Sequence, residues 1–88
     1  MSAVTIVRDR PIARKTLKKY AVVIEYGPNN LSAYVPDLPG CVTTGKTIDE
    51  IDFNIREAIE FHLEGMLQDG EPIPEPSTSV SYVEARVA

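Results

Sequence analysis

From Tyr20 to Tyr26 (YAVVIEY) hydrophobic positions follow a two-residue period, with Tyr20, Val22, Ile24 and Tyr26 on one face and Ala21, Val23 and Glu25 on the other. The segment is rich in β-branched and aromatic side chains, which pack well on a pleated surface, so the pattern predicts a strand. Gly27-Pro28-Asn29-Asn30 is a run of turn formers and predicts a hairpin loop. Leu31–Val35 (LSAYV) is the expected return strand. Pro36-Asp37-Leu38-Pro39-Gly40 interrupts it, because each proline lacks the amide that a ladder needs; the stretch belongs at an edge, a bulge or a crossing loop. Cys41–Thr44 is then a third short strand, ended by Gly45. Ser79–Val87 alternates again, with Val83, Ala85 and Val87 on one face, and predicts a last strand.

Between these runs the period changes to three and four residues. Ile48, Ile51, Ile55, Ala58, Ile59, His62 and Met66 form one stripe, widened by Leu63 and Leu67, which predicts an amphipathic helix. Thr47-Ile48-Asp49-Glu50 has the capping-box pattern: Thr47 is expected to accept from an exposed helix amide and Glu50 to reach back to the amide of Thr47. Asp49, Glu50 and Asp52 put negative charge at the positive end of the helix dipole. Gly70 stands where a left-handed C-cap belongs, and Pro72 prevents continuation. About twenty-two helical residues span ~33 Å. Phe53 and Phe61 fall off the stripe and point to a second buried face, such as a subunit contact. Glu71–Pro76, with three prolines, is expected to run extended over the surface. The predicted order is β-β-β-α-β, an α+β antiparallel sheet with one long helix on a face. Residues 1–19 are ambiguous: Val4–Val7 fits a short strand and Ile12–Lys19 a helical turn or two.

Charge divides the 88 residues into an arm and a body. Residues 1–19 carry six of the nine bases (Arg8, Arg10, Arg14, Lys15, Lys18, Lys19) and one acid, Asp9, for a charge of +5; the rest carry three bases and twelve acids, for −9. We therefore expect a basic arm, 1–19, on an acidic domain, 20–88. Such an arm is either a solvated tail, free to dock on an acidic neighbour, or a nucleic-acid contact. In the latter case Arg14, Lys15, Lys18 and Lys19 would meet phosphates in a salt-dependent, sequence-tolerant way. With little aromatic interleaving, base stacking is not indicated. The single cysteine, Cys41, excludes an internal disulfide and suits a reducing, cytoplasmic setting. No apolar run approaches the ~20 residues of a membrane span, so no membrane association is expected.

Several segments, in order, carry a family resemblance: Tyr20–Glu25, Val35–Gly45, Thr47 with Asp49-Glu50, Glu57-Ala58-Ile59, His62–Leu67, and Asp69–Pro76. A chain with this series resembles the HicB family, antitoxin partners in HicAB toxin–antitoxin pairs, and their stand-alone relatives. The resemblance implies a degraded ribonuclease-H-like fold, assembled as a homodimer or higher oligomer. It also implies a function: binding and neutralising a small, basic, RNA-cleaving toxin of the HicA type by protein–protein contact. Many such antitoxins carry a C-terminal DNA-binding domain. Twelve residues follow Pro76, too few for one, so a short form is expected. The rival reading is a stand-alone interaction or regulatory module that touches nucleic acid through its basic arm.

No enzyme activity, metal or cofactor is expected. Nuclease chemistry of the ribonuclease-H kind needs carboxylates converging on two metal ions ~4 Å apart. The candidates are Glu25, Asp37, Asp49 and Asp52; the last two are already explained as helix-start charges, and nothing requires Glu25 to meet Asp37. His62, the only histidine, lacks a nucleophile to serve and co-ligands to share a metal. Cys41 reads as a small buried hydrophobe. The Asp37–Cys41 loop is open to two readings. Structurally, Asp37 caps a turn, Pro39 blunts an edge and Gly40 supplies an unusual backbone angle; functionally, Asp37 and Leu38 face the toxin. Glu57, Glu60 and Glu64, with Glu50, form an acidic helix face that is either simply solvated or complements a basic partner.

Overall fold

The computed structural model describes residues 17–88. Its elements are β1 (Val23–Tyr26), β2 (Leu31–Tyr34), β3 (Val42–Gly45) and α1 (Ile48–Gln68). The three strands form an antiparallel sheet in the order β1-β2-β3. Val4–Val7, Arg14 and Lys15 lie outside the described residues. Of the helical turns expected over 12–19 only residues 17–19 are described, and they are not helical.

The β1–β2 hairpin is closed by the amide of Gly27 donating to the carbonyl of Asn30 at 2.9 Å. Its register pairs Val23 with Tyr34 and Ile24 with Ala33. One step further Val22 would face Val35 and Ala21 would face Pro36. Proline has no amide to offer, and the amide of Val35 already donates to the carbonyl of Cys41 at 3.1 Å. The first strand is therefore shorter than its alternation suggests, and Tyr20–Val22 stay extended without a ladder.

Two successive tight turns join β2 to β3. The amide of Leu38 donates to the carbonyl of Val35, and that of Cys41 to the carbonyl of Leu38, both at 3.0 Å. In the second turn Pro39 precedes Gly40, whose φ of +86° is what a type II turn requires at that position. The double turn drives Leu38 inward, where it is fully buried.

At its N-terminus α1 is capped by Thr47, whose Oγ1 accepts from the Glu50 amide at 3.1 Å. The Glu50 carboxylate instead accepts from the amide of Lys46, at 2.7 Å, one residue before the expected one. At the other end Gly70 has φ +73°, its amide donates to Leu67, and the Glu71 amide donates to Met66, which is a Schellman motif.

The helix lies over β2 and β3 and leaves β1 uncovered. Buried Ala33, Val35, Leu38, Cys41, Ile51 and Ile55 form the core, with Tyr20, Val22, Ile24, Leu31, Ala58, Ile59 and Leu63 packed around them. The expected stripe holds in its middle and frays at its ends, since Ile48 and Leu67 are exposed. A 21-residue helix is about 31 Å long against about 13 Å for a four-residue strand, so its ends overhang the sheet.

Residues 79–87 form no strand. After α1 the chain runs extended through its prolines and is held at three points. The Tyr20 hydroxyl donates to the carbonyl of Pro74 at 2.6 Å, Lys18 pairs with Glu75 at 2.9 Å, and Asp37 takes hydrogen bonds from Ser77 and Thr78. Beyond Thr78 the chain leaves the body fully exposed. The predicted last strand is absent because a strand needs a neighbour, and among the described residues no strand lies alongside it.

Candidate partner-binding surface

Of the residues expected to meet a partner, Glu57, Glu60 and Glu64 are brought together. Four turns of α1 place them, with Phe53 and Leu67, on the side of the helix away from Ile51 and Ile55, and set Phe61 on the flank toward β3. The three glutamates, Phe61 and Leu67 line a shallow, open groove of about 920 Å³ that also takes in Thr43, Asn54, Ala58 and Leu63. Phe61 is 78% exposed and Phe53 59%. The pattern is an aromatic and aliphatic centre with a carboxylate rim, carried on a rigid element. Asn54 adds an anchor to the sheet, its Nδ2 donating to the Thr44 carbonyl at 3.0 Å on the outer edge of β3.

Leu38 does not belong to any such surface. It has no exposed area and is a core side chain, because the two turns around it point its Cβ at the helix. Asp37, beside it, is half-exposed but committed. Its Oδ2 accepts from the amides of Ser77 and Thr78 at 2.8 and 3.2 Å, and its Oδ1 from their hydroxyls at 3.0 and 2.7 Å. These four bonds, led by the Ser77 amide, hold the Asp37 carboxyl below the usual carboxylate value. The clamp joins residues forty apart, and the only hint of it in the sequence is the hydroxyl-rich run Ser77-Thr78-Ser79.

The sign of the shift sets a pH dependence. A carboxyl with a depressed folded pKa adds stability above its unfolded pKa, near 3.8, and loses it as pH falls through the lower folded value. The tail will therefore stay clamped at neutral pH and loosen below about pH 4. Amide hydrogen exchange at Ser77 and Thr78 reports it directly. Asp37→Asn, which offers one acceptor oxygen for four donors, will speed exchange at both amides at pH 7, and unchanged protection would remove the clamp.

The remaining candidates are scattered. Glu25 stands exposed on the open sheet face; Asp52 pairs with Arg56 at 3.6 Å, one helical turn on; Asp49 sits in the first helical turn. Among the described residues no three His, Cys, Asp or Glu side chains are grouped to hold a metal ion. His62 is half-buried on the helix, and burial pushes the Cys41 thiol up. Lys18 is engaged by Glu75, whereas Lys19 is exposed. Pro39, Gly40, Thr47, Glu50 and Gly70 hold the structural positions described above. No helix among the described residues is long and apolar enough to cross a membrane.

Known proteins share both sequence and shape with this chain. It is 41% identical over 64 residues to an uncharacterized 14.9 kDa protein from the rep-hol intergenic region of Haemophilus phage HP1, a match covering 73% of this chain and 48% of the phage protein, or about half its length. It is 38% identical over 68 residues to a UPF0150 protein of Thermoplasma acidophilum, covering 76% of this chain and 99% of the relative. Among solved structures it superposes on a chain of the HicA3 and HicB3 toxin–antitoxin complex with a TM-score of 0.60 at 32% identity, covering 68% of this chain and 70% of that one. The N-terminal domain of the Burkholderia pseudomallei antitoxin HicB gives 0.57 at 34% identity, covering 65% and 69%. Since residues 20–87 also match the sequence pattern described as HicB-like antitoxin of bacterial toxin–antitoxin system, the chain belongs to that family.

Proposed function

We propose that this chain binds and neutralises a small, basic, RNA-cleaving toxin of the HicA type through the outer face of α1. The family and the HicA3–HicB3 complex among the structural neighbours support the partner class. The observation that carries the surface is the convergence of Glu57, Glu60 and Glu64 around exposed Phe61 and Leu67. A buried aromatic anchor with a charged rim is how protein interfaces divide their work: the ring supplies desolvated area, and the carboxylates steer a cationic partner and fix its orientation. An RNA-cleaving toxin must itself be cationic where it holds the phosphate backbone, so an acidic face competes for the same surface. Blocking needs no chemistry from this chain.

The test is co-expression with a HicA-type toxin, read as relief of growth arrest and as a complex in size-exclusion chromatography. The triple variant Glu57→Lys, Glu60→Lys, Glu64→Lys will slow association at least about tenfold at low salt, with a smaller difference at high salt. Phe61→Ala will raise the dissociation rate instead. If no complex forms, the antitoxin reading fails; if a complex forms and both variants bind as the parent does, α1 is not the toxin face.

A further inference from the structure

The acidic face of α1 and the basic arm are complementary parts of one chain. The helix carries six acids and one base, and that base, Arg56, pairs with Asp52 on the flank toward Tyr20 and Val22. The groove under Glu57, Glu60 and Glu64 has an apolar lining of Ala58, Phe61 and Leu67, and none of the residues that line it is basic. Residues 1–16, outside the described residues, hold four bases, Arg8, Arg10, Arg14 and Lys15, against one acid, Asp9. At a two-residue period Arg8, Arg10, Ile12 and Arg14 share one side and Asp9 falls on the other. Pro11 biases Arg10 toward the extended backbone that such a period needs. Three guanidinium groups around one aliphatic side chain are what a carboxylate-rimmed apolar groove selects.

The place where the described chain begins brings the two together. Leu17, Lys18 and Lys19 line a second groove, of about 490 Å³, between Tyr20 and Val22 and the near flank of α1 at Ile55. Glu60 and Leu63 line both grooves, so the two adjoin across the helix. Half a turn around a cylinder ~10–12 Å wide is a path of about 17 Å. Residues 8–16, fully extended, reach about 30 Å. Arg14 and Lys15 can therefore pass Glu60 while Arg8 and Arg10 reach Glu57 and Glu64. A tether this short gives an effective concentration in the millimolar range, so a contact too weak to join two separate molecules is populated within one. That favours the arm's own helix over the helix of a neighbouring copy.

We propose that residues 8–15 dock across the outer face of α1 in their own chain and occupy the Glu57–Glu60–Glu64 groove until a partner displaces them. The role as a competitor rests on the reading of this face as the toxin-binding surface. Such an arm sets a threshold. A protein that offers only scattered cations gains no more from the groove than the arm already does. A partner that adds apolar contact with Phe61 and Leu67 outcompetes it, which is specificity by exclusion. Because the arm's contacts are largely between exposed charges, salt weakens them.

A nitroxide carried on the full chain by Thr5→Cys tests this, since Cys41 is buried and leaves one accessible thiol. The amide signals of Glu57–Leu67 will be broadened at low salt, and about 0.5 M salt will reduce the broadening at least about threefold. Replacing Arg8, Arg10, Arg14 and Lys15 together by Gln will abolish it. In an equal mixture of spin-labelled chain and unlabelled, nitrogen-15 chain, the nitrogen-15 signals will stay sharp, because docking is within one chain. Saturation with a HicA-type toxin will return the intensity ratio between oxidised and reduced label to about one as the arm is released. Absence of broadening, broadening centred on another surface, broadening that survives the Gln variant, or broadening passed to the second chain would each overturn the proposal. So would a toxin that binds while the arm stays in place. A toxin that does not bind at all sinks the antitoxin reading alone, because the docking of the arm is read without it.

Discussion

Leu38→Ala will lower the unfolding free energy of this chain by about 3–5 kcal/mol, the range for emptying a well-packed leucine site. Leu38 has no exposed area and packs with Val35, Cys41, Ile51 and Ile55. Collapse around the vacancy is hindered on both sides. The two turns that hold its backbone are closed by hydrogen bonds and stiffened by Pro36 and Pro39, and Ile51 is fixed by the capped first turn of α1. A domain of this size holds on the order of 5 kcal/mol in all, so the variant will be largely unfolded at physiological temperature. Urea titration followed by far-ultraviolet circular dichroism measures the loss. Leu67→Ala, at a site that is 66% exposed, is the matched control and will shift the midpoint by less than about 0.5 kcal/mol. A Leu38→Ala chain as stable as the control would return Leu38 to the surface, where it would matter for binding and not for folding.

Leu38 also shows where sequence reasoning stops. It sits in a proline and glycine loop of the kind that is normally exposed, and no periodicity marks it as the deepest side chain of the domain. Its burial follows from two consecutive tight turns, and turn geometry is not a hydrophobic pattern. What was legible in the sequence is local. Thr47, Gly70 and the Ile51–Ile55–Ala58–Ile59 spacing delimit α1 to within a residue or two, because capping and helical period involve neighbours three to five residues apart. Gly27–Asn30 and Pro39-Gly40 announce their turns for the same reason. What was not legible depends on pairing across the fold. The alternation of Ser79–Val87 reads as a strand, but whether a strand forms depends on an edge to join. The failure of Tyr20–Val22 to pair depends on the absent amide of Pro36, two strand positions beyond the last bonded pair. Asp37 reads as a turn residue or a contact residue, and the clamp that it makes is invisible until Ser77 and Thr78 are brought to it. The acidic face lies between these cases: helical spacing puts Glu57, Glu60 and Glu64 together, but only the position of the sheet shows that this side of α1 stays uncovered.

Gly45→Val will cost about 1–3 kcal/mol, the usual range for forcing carbon into a filled site. Gly45 was legible only as the end of a strand, yet there β3 runs close against the first turn of α1. A Cβ placed there would lie 3.2 Å from the Cβ of Glu50, 3.3 Å from the backbone nitrogen of Ile51 and 3.4 Å from its Cγ1. None of these atoms can yield cheaply. The nitrogen belongs to the helix backbone and donates to the Thr47 carbonyl at 3.0 Å, Ile51 is fully buried, and Glu50 is held by its bonds to the Lys46 amide and, through its own amide, to Thr47. Relief therefore requires the helix N-terminus to move off β3 as a unit, which opens the core at Ile51 and strains the cap together. Gly45→Ala will show a smaller loss in the same direction, because a single methyl can be taken up by shifts of a few tenths of an ångström. Urea midpoints for the two variants give the order directly. The structure requires valine to be the worse of the two, and a Gly45→Val chain as stable as the parent would mean that the helix does not approach the sheet as closely as these distances state.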